Sequence, residues 1–166
     1  MARDHVDFIA DQWQQERPDL DIWPMQAVGR LSRLANYTRQ EISELHKQLG
    51  LASGEFDVLA TLLRSGPPYR LTPTVLFKSA MLTSGAMTNR LNRLEQRGLI
   101  ERLPDPDDRR SLLVQLSDSG RELINRAVEH HLQLQARLLK ALEPEQQRQL
   151  NDLLRQLLLS FEHAEE

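Results

Sequence analysis

Two short stretches of the chain carry residue types suited to chemistry. The first reads Thr83-Ser84-Gly85-Ala86-Met87-Thr88-Asn89-Arg90-Leu91-Asn92-Arg93. Met87, Leu91 and Leu94 recur at helical spacing, so one face is predicted to be buried while Ser84, Gly85, Thr88, Asn89 and Asn92 turn outward. Hydroxyls and backbone N–H groups at a helix start hold phosphates, and polar side chains along it reach base edges in a major groove. The second stretch, Asp108-Arg109-Arg110-Ser111, lies in the proline- and aspartate-rich turn PDPDDRR. An arginine held at such a tip can enter a narrow, negatively charged minor groove, and the adjacent Asp108 carboxylate can steady its fork by paired hydrogen bonds. Separately, each stretch has an ordinary reading, a polar helix face or a solvated turn. Their succession favours nucleic-acid contact. The candidate DNA contacts are Thr72, Thr83, Ser84, Gly85, Thr88, Asn89, Arg93, Arg109 and Arg110, with Asp108 supporting the hairpin tip.

The elements that must position these residues are mostly helical, because leucine, glutamine and arginine dominate and glycine is rare. Val6, Ile9, Ala10 and Trp13 space a first helix over about 4–16, which stops at Arg17-Pro18. A second is expected over 24–49, capped by Gly50, and a third starts at Ser53 and ends before Gly66-Pro67-Pro68. Thr72-Pro73 reads as an N-cap followed by proline at the first helical position. Thr83 or Ser84 caps the next helix, closed by Gly98, and two short helices joined by a tight turn form a helix-turn-helix. Residues 99–103 and 112–116 then read as a hairpin of two strands. Ser117 or Ser119 opens a long helix running to Glu143-Pro144, and a final helix presents Leu150, Leu153, Leu154, Leu157, Leu158 and Phe161. That stripe suits a dimer seam, with packing onto its own domain as the alternative. The expected fold is mainly α with a small β-hairpin wing, a winged helix-turn-helix with a helical dimerisation domain. Its parts are an N-terminal extension helix (1–23), a dimerisation region (24–50 and 118–163) and a DNA-binding region (51–117).

Composition narrows the function further. The 166 residues carry a formal charge of −3, which alone argues against a nucleic-acid partner. Yet Arg70 to Arg110 holds eight Lys/Arg against five acids, a local +3 beside −6 elsewhere. Phosphate attraction is local, falling off over ~8–10 Å, so the segregation permits binding. The absence of cysteine excludes thiol catalysis, disulfides and cysteine-ligated metals. His5, His46, His130, His131 and His163 form no His-x-x-x-His pair, and His130 and His131 are expected to be solvated, so no metal site is expected. No Ser–His–Asp arrangement or glycine-rich phosphate loop is recognisable, which argues against an enzyme, and no cofactor is implied. No apolar run approaches the ~20 residues of a membrane helix, and MARDHVDF lacks a leader profile, so a cytoplasmic protein without membrane contact is expected.

From about Trp23 to Phe161 the chain resembles the MarR family of winged-helix transcription factors. The match rests on Asp-x-Arg-Ser-x-x-Val-x-Leu-Ser at Asp108 to Ser117, on the DSGREL that follows, and on SGAMTNRLNRLEQRGLIER. The resemblance implies a homodimer on a palindromic double-stranded operator, usually a repressor relieved by a small ligand. DQWQQERPDLD and VGRLSRL are similar to the urate-responsive, PecS-like branch. That likeness implies an effector site at Trp13, Asp57, Arg90 and Arg102, with Asp57 close to Arg90 in the free protein. Ala52 and Glu143 depart from the branch, which commonly has threonine and serine there. A small planar anion needs a cation, an aromatic face and an orienting polar group, which Arg90, Trp13 and Asp57 would supply. Two other readings of the four residues stay open: Trp13 as a core anchor, and Asp57–Arg90 as an internal ion pair. A winged-helix dimer without ligand control, or a protein-interaction module, is the rival function.

Overall fold

Side-chain caps set the starts of three helices in the computed structural model, which describes residues 2–80, 87–106 and 111–162. Asp4 accepts hydrogen bonds from the Val6 and Asp7 amides at 2.7 and 3.0 Å, and the Asp7 carboxylate accepts from the Asp4 amide at 2.8 Å. This reciprocal box opens α1 (His5–Glu16). α2 (Trp23–Gln48) follows, with proline in its first turn. α3 (Glu55–Arg64) starts differently from expectation: its N-cap is Gly54 in the left-handed region (φ 76), and the Ser53 side chain makes no cap. The Glu55 carboxylate reaches back to the Ala52 amide at 2.9 Å instead. Thr72 caps α4 (Pro73–Ser79) by accepting from the Val75 amide at 3.2 Å, as its sequence predicts.

After α5 (Met87–Gln96) the chain forms β2 (Ile100–Pro104) and β3 (Leu112–Leu116), the expected hairpin. They pair antiparallel from Ile100↔Leu116 to Pro104↔Leu112. The Asp105 amide donates to the Ser111 carbonyl at 3.1 Å beyond the last pair. A further strand, β1 (Arg70–Leu71), adds to the other edge of β3, so the sheet order is β1-β3-β2. Two residues carry no readable period, and this strand has no signature in the sequence.

Ser117 caps α6 (Asp118–Leu139), its hydroxyl accepting from the Gly120 amide at 3.0 Å. α6 ends at Leu139, short of the expected Glu143, and α7 (Pro144–Glu162) completes the chain. The core lies among α3, α4, α5, the sheet and the first half of α6, where Leu59, Leu62, Leu76, Leu94, Val114 and Ile124 are fully buried. Helices α1, α2 and α7 stand outside it. α7 buries none of its residues, and Leu153 and Phe161 are 60 % and 70 % exposed. Among the described residues no helix is long and apolar enough to cross a membrane.

Candidate nucleic-acid interface and effector pocket

α5 buries Met87, Leu91 and Leu94 against the core and turns Thr88, Asn89 and Asn92 to solvent. Thr88 and Asn89 are therefore available at the start of the described helix. Thr72 sits at the opposite end of the helix-turn-helix, its hydroxyl committed to the α4 cap. Thr83, Ser84, Gly85, Asp108, Arg109 and Arg110 lie outside the described residues.

Four arginines follow the outward groups, and each is tied inward. The Arg90 Nε donates to the Ser53 carbonyl at 3.0 Å. Arg93 Nε lies 3.2 Å from one oxygen of Glu55, and Arg97 Nη1 lies 2.8 Å from the other. Arg102, on β2, donates to the Asn92 side-chain oxygen at 2.7 Å and pairs with Glu95 at 3.2 Å, so Asn92 is braced by the wing strand. Glu55 is 1 % exposed, a buried charge stabilised by two guanidinium partners and a backbone N–H. Sequence reasoning missed Glu55, because nothing local distinguishes it from any acidic residue in a first helical turn.

The four residues singled out for an effector stand apart in one chain. Asp57 lines a cavity of about 530 Å³ among α2, α3 and α6, together with Arg39, Lys47, Phe56 and the 52–54 loop. Trp13, Arg90 and Arg102 do not line it. Trp13 is on α1, which packs on α2, and is 39 % exposed, so it is no core anchor. Asp57 and Arg90 form no ion pair in the single chain, against the pairing the sequence left open: the Arg90 Nε donates to the Ser53 carbonyl instead. Arg90 Nη1 is buried without a hydrogen-bond partner among the described residues.

The same cavity corrects the reading of His131. It is half-buried, with Nδ1 3.3 Å from Nε2 of His46, and both imidazoles stack on Phe56 at centroid distances of 4.6 and 4.3 Å. Partner residues 85 positions apart in sequence cannot be paired by local periodicity. Burial pushes both histidines below their ordinary value; the charge of His131 pushes His46 down further, and Asp57 partly offsets this. Among the described residues no cluster of His, Asp and Glu is placed to hold a metal ion. The folded chain thus favours neutral histidines, whereas the unfolded chain binds protons near pH ~6.5. Stability is expected to be full above that value and to fall as pH drops through it. Thermal unfolding followed from about pH 8 to pH 5.5 should show the midpoint declining below ~6.5, and His46→Phe with His131→Phe should flatten that decline. A flat wild-type profile would contradict this packing.

Known proteins share this fold. The MarR family model matches residues 51–112. The HTH-type transcriptional regulator PecS of Dickeya dadantii (strain 3937) is 40 % identical over 149 residues, covering 90 % of each chain. The chain belongs to the MarR family. Like the rest of that family, it is a transcriptional regulator and not an enzyme. A mutant MarR from Escherichia coli complexed with operator DNA superposes with a TM-score of 0.69 at 26 % identity, covering 88 % of this chain and 97 % of that one. The MarR-family regulator AbsC of Streptomyces coelicolor gives a TM-score of 0.76 over 87 % and 97 % of the two chains; at 19 % identity it speaks for the fold alone. Within this MarR fold, α5 is the second helix of the helix-turn-helix and β2–β3 are the wing strands.

Proposed function

We propose that this regulator is a homodimeric repressor that binds a two-fold operator and is released by a small planar anion such as urate. Thr88 and Asn89 on α5, with Thr83, Ser84 and Gly85 before it, read the major groove. Arg109 and Arg110, steadied by Asp108, bind the adjacent minor groove. The apolar, solvent-facing sides of α2 and α7 support a dimer, since Val28, Leu34, Leu153, Leu157 and Phe161 are all exposed in the single chain.

The observation that carries ligand control is Arg90 Nη1, a buried guanidinium donor without a partner among the described residues. Such groups are rare and costly in native proteins, so an anion that satisfies this one gains affinity. The loop that Arg90 grips, Ser53-Gly54, also lines the cavity containing Asp57, Arg39 and Lys47. A ligand entering there presses on the support of the reading helix. Trp13 offers an aromatic face from α1, and Arg102 a second cation from the wing strand. A hundredfold loss of DNA affinity on ligand binding corresponds to about 2.7 kcal/mol of coupling, within the usual allosteric range.

A urate titration of the protein bound to a duplex selected from random DNA tests this reading. Wild type should release DNA; Trp13→Phe and Asp57→Asn should respond at least tenfold more weakly while binding DNA normally. Equal responses in all three proteins would remove these residues from the site. No response in any would leave a DNA-binding dimer without this ligand.

A further inference from the structure

Arg90 and Arg93 on α5, and Arg97 immediately after its last residue, follow one another at intervals of three and four, and the Arg97 amide still donates to the Arg93 carbonyl at 3.1 Å, so the three side chains share one face. All three grip a single short segment at the start of α3. Arg90 holds the Ser53 carbonyl at 3.0 Å, and Arg93 and Arg97 hold the two oxygens of Glu55 at 3.2 and 2.8 Å. Gly54 makes room for this: a Cβ there would lie 2.3 Å from Arg90 Nε, and the residue already needs a positive φ. Glu55 also anchors its own loop through the Ala52 amide. Three attachments along one face resist rotation of α5 about its axis far better than the apolar contacts of Met87, Leu91 and Leu94, which are not directional.

We propose that Glu55 is a specificity-determining positioning residue: its buried carboxylate sets the rotation of α5 and keeps Arg93 and Arg97 off DNA phosphates. The inference rests on the reading of α5 as the DNA-contacting helix. Arg93 and Arg97 side chains are 51 % and 40 % exposed, so without Glu55 they swing readily into solvent. Two cations freed beside a bound duplex add attraction that is blind to sequence, while a helix that turns freely loses register with base edges. Arg93, expected from the sequence to touch DNA, serves selectivity here by being held back.

The test compares wild type, Glu55→Gln and Arg97→Gln on two duplexes, one selected from random DNA by the wild-type protein and one of scrambled sequence, by fluorescence anisotropy across salt concentrations. Each phosphate contact adds ~0.9 to the slope of log affinity against log salt. Glu55→Gln should steepen the slope on scrambled DNA by about 1–2 and bind that duplex more tightly. It should also lower the selected-to-scrambled affinity ratio at least tenfold. Arg97→Gln, which keeps Glu55 and removes only an exposed side chain, should lose selectivity without any fall in slope. It keeps the test decisive if Glu55→Gln does not fold. Wild-type slope and ratio in Glu55→Gln would overturn the proposal. A slope reduced by about 1 in Arg97→Gln would do so too, by placing Arg97 on a phosphate. Failure of the wild-type protein to select any duplex would instead overturn the DNA reading itself.

Discussion

Gly120→Ala is expected to destabilise the protein more than any other single-methyl addition. A Cβ at that position would lie 1.9 Å from the Leu99 carbonyl oxygen and 2.9 Å from its carbon, both backbone atoms that no side-chain rotation can clear. The first turn of α6 must therefore pull away from the segment joining α5 to β2. That segment is tightly held, because the Ser117 and Ser119 hydroxyls donate to the Gly98 carbonyl at 2.6 and 2.7 Å. It also leads directly into Ile100, and one turn along α6 lies Ile124, both fully buried. Overpacking a core costs ~1–3 kcal/mol when side chains can adjust, and here they cannot, so the cost should sit at or above the top of that range. The ~1 kcal/mol that alanine gains over glycine in a helix does not offset it. A melting temperature lower by on the order of 10 °C is expected, read by circular dichroism; a change of only a degree or two would show that the two elements are less closely joined.

Leu154→Glu with Leu158→Glu should weaken operator binding severely without touching the DNA-contacting surface. The two leucines are one turn apart on α7, a helix with no buried residue, and they are 42 % and 54 % exposed in the single chain. A pair of carboxylates there has no effect on the core, yet places charge in the centre of the proposed seam, where desolvation is costly. Light scattering should move from twice the 19.2 kDa chain mass to a single chain, or to unfolded material, at micromolar concentration. DNA affinity should fall by roughly 10²–10⁴, the contribution of joining two half-site contacts. A wild-type protein that is a folded monomer would contradict the dimer outright.

What the sequence displayed was whatever depends on neighbours a few positions away. Thr72-Pro73 and Ser117 each specify a helix start through their own hydrogen-bonding atoms, and the structure places helices there. The α5 burial pattern of Met87, Leu91 and Leu94 was equally legible. What stayed hidden depends on partners far along the chain. Ser53 looks like an N-cap, but Glu55, fastened by Arg93 and Arg97, takes over the loop. His131 looks solvated until α2 brings His46 and α3 brings Phe56 beside it. The effector residues were grouped by resemblance, and one chain distributes them between α1 (Trp13), the α3 cavity (Asp57), α5 (Arg90) and β2 (Arg102). The reading-helix start and the hairpin tip are argued from their residue types, since both lie outside the described residues.

The proposed two-fold dimer, with its paired α5 helices in successive major grooves, places half-sites one helical turn, ~34–36 Å, apart. The direct test is affinity for a selected palindrome as base pairs are inserted at its centre. An insertion of about five base pairs, half a turn, should turn the half-sites to opposite faces of the duplex and reduce affinity to that of a single half-site. Affinity that ignores the spacing would contradict symmetric reading by the two helices.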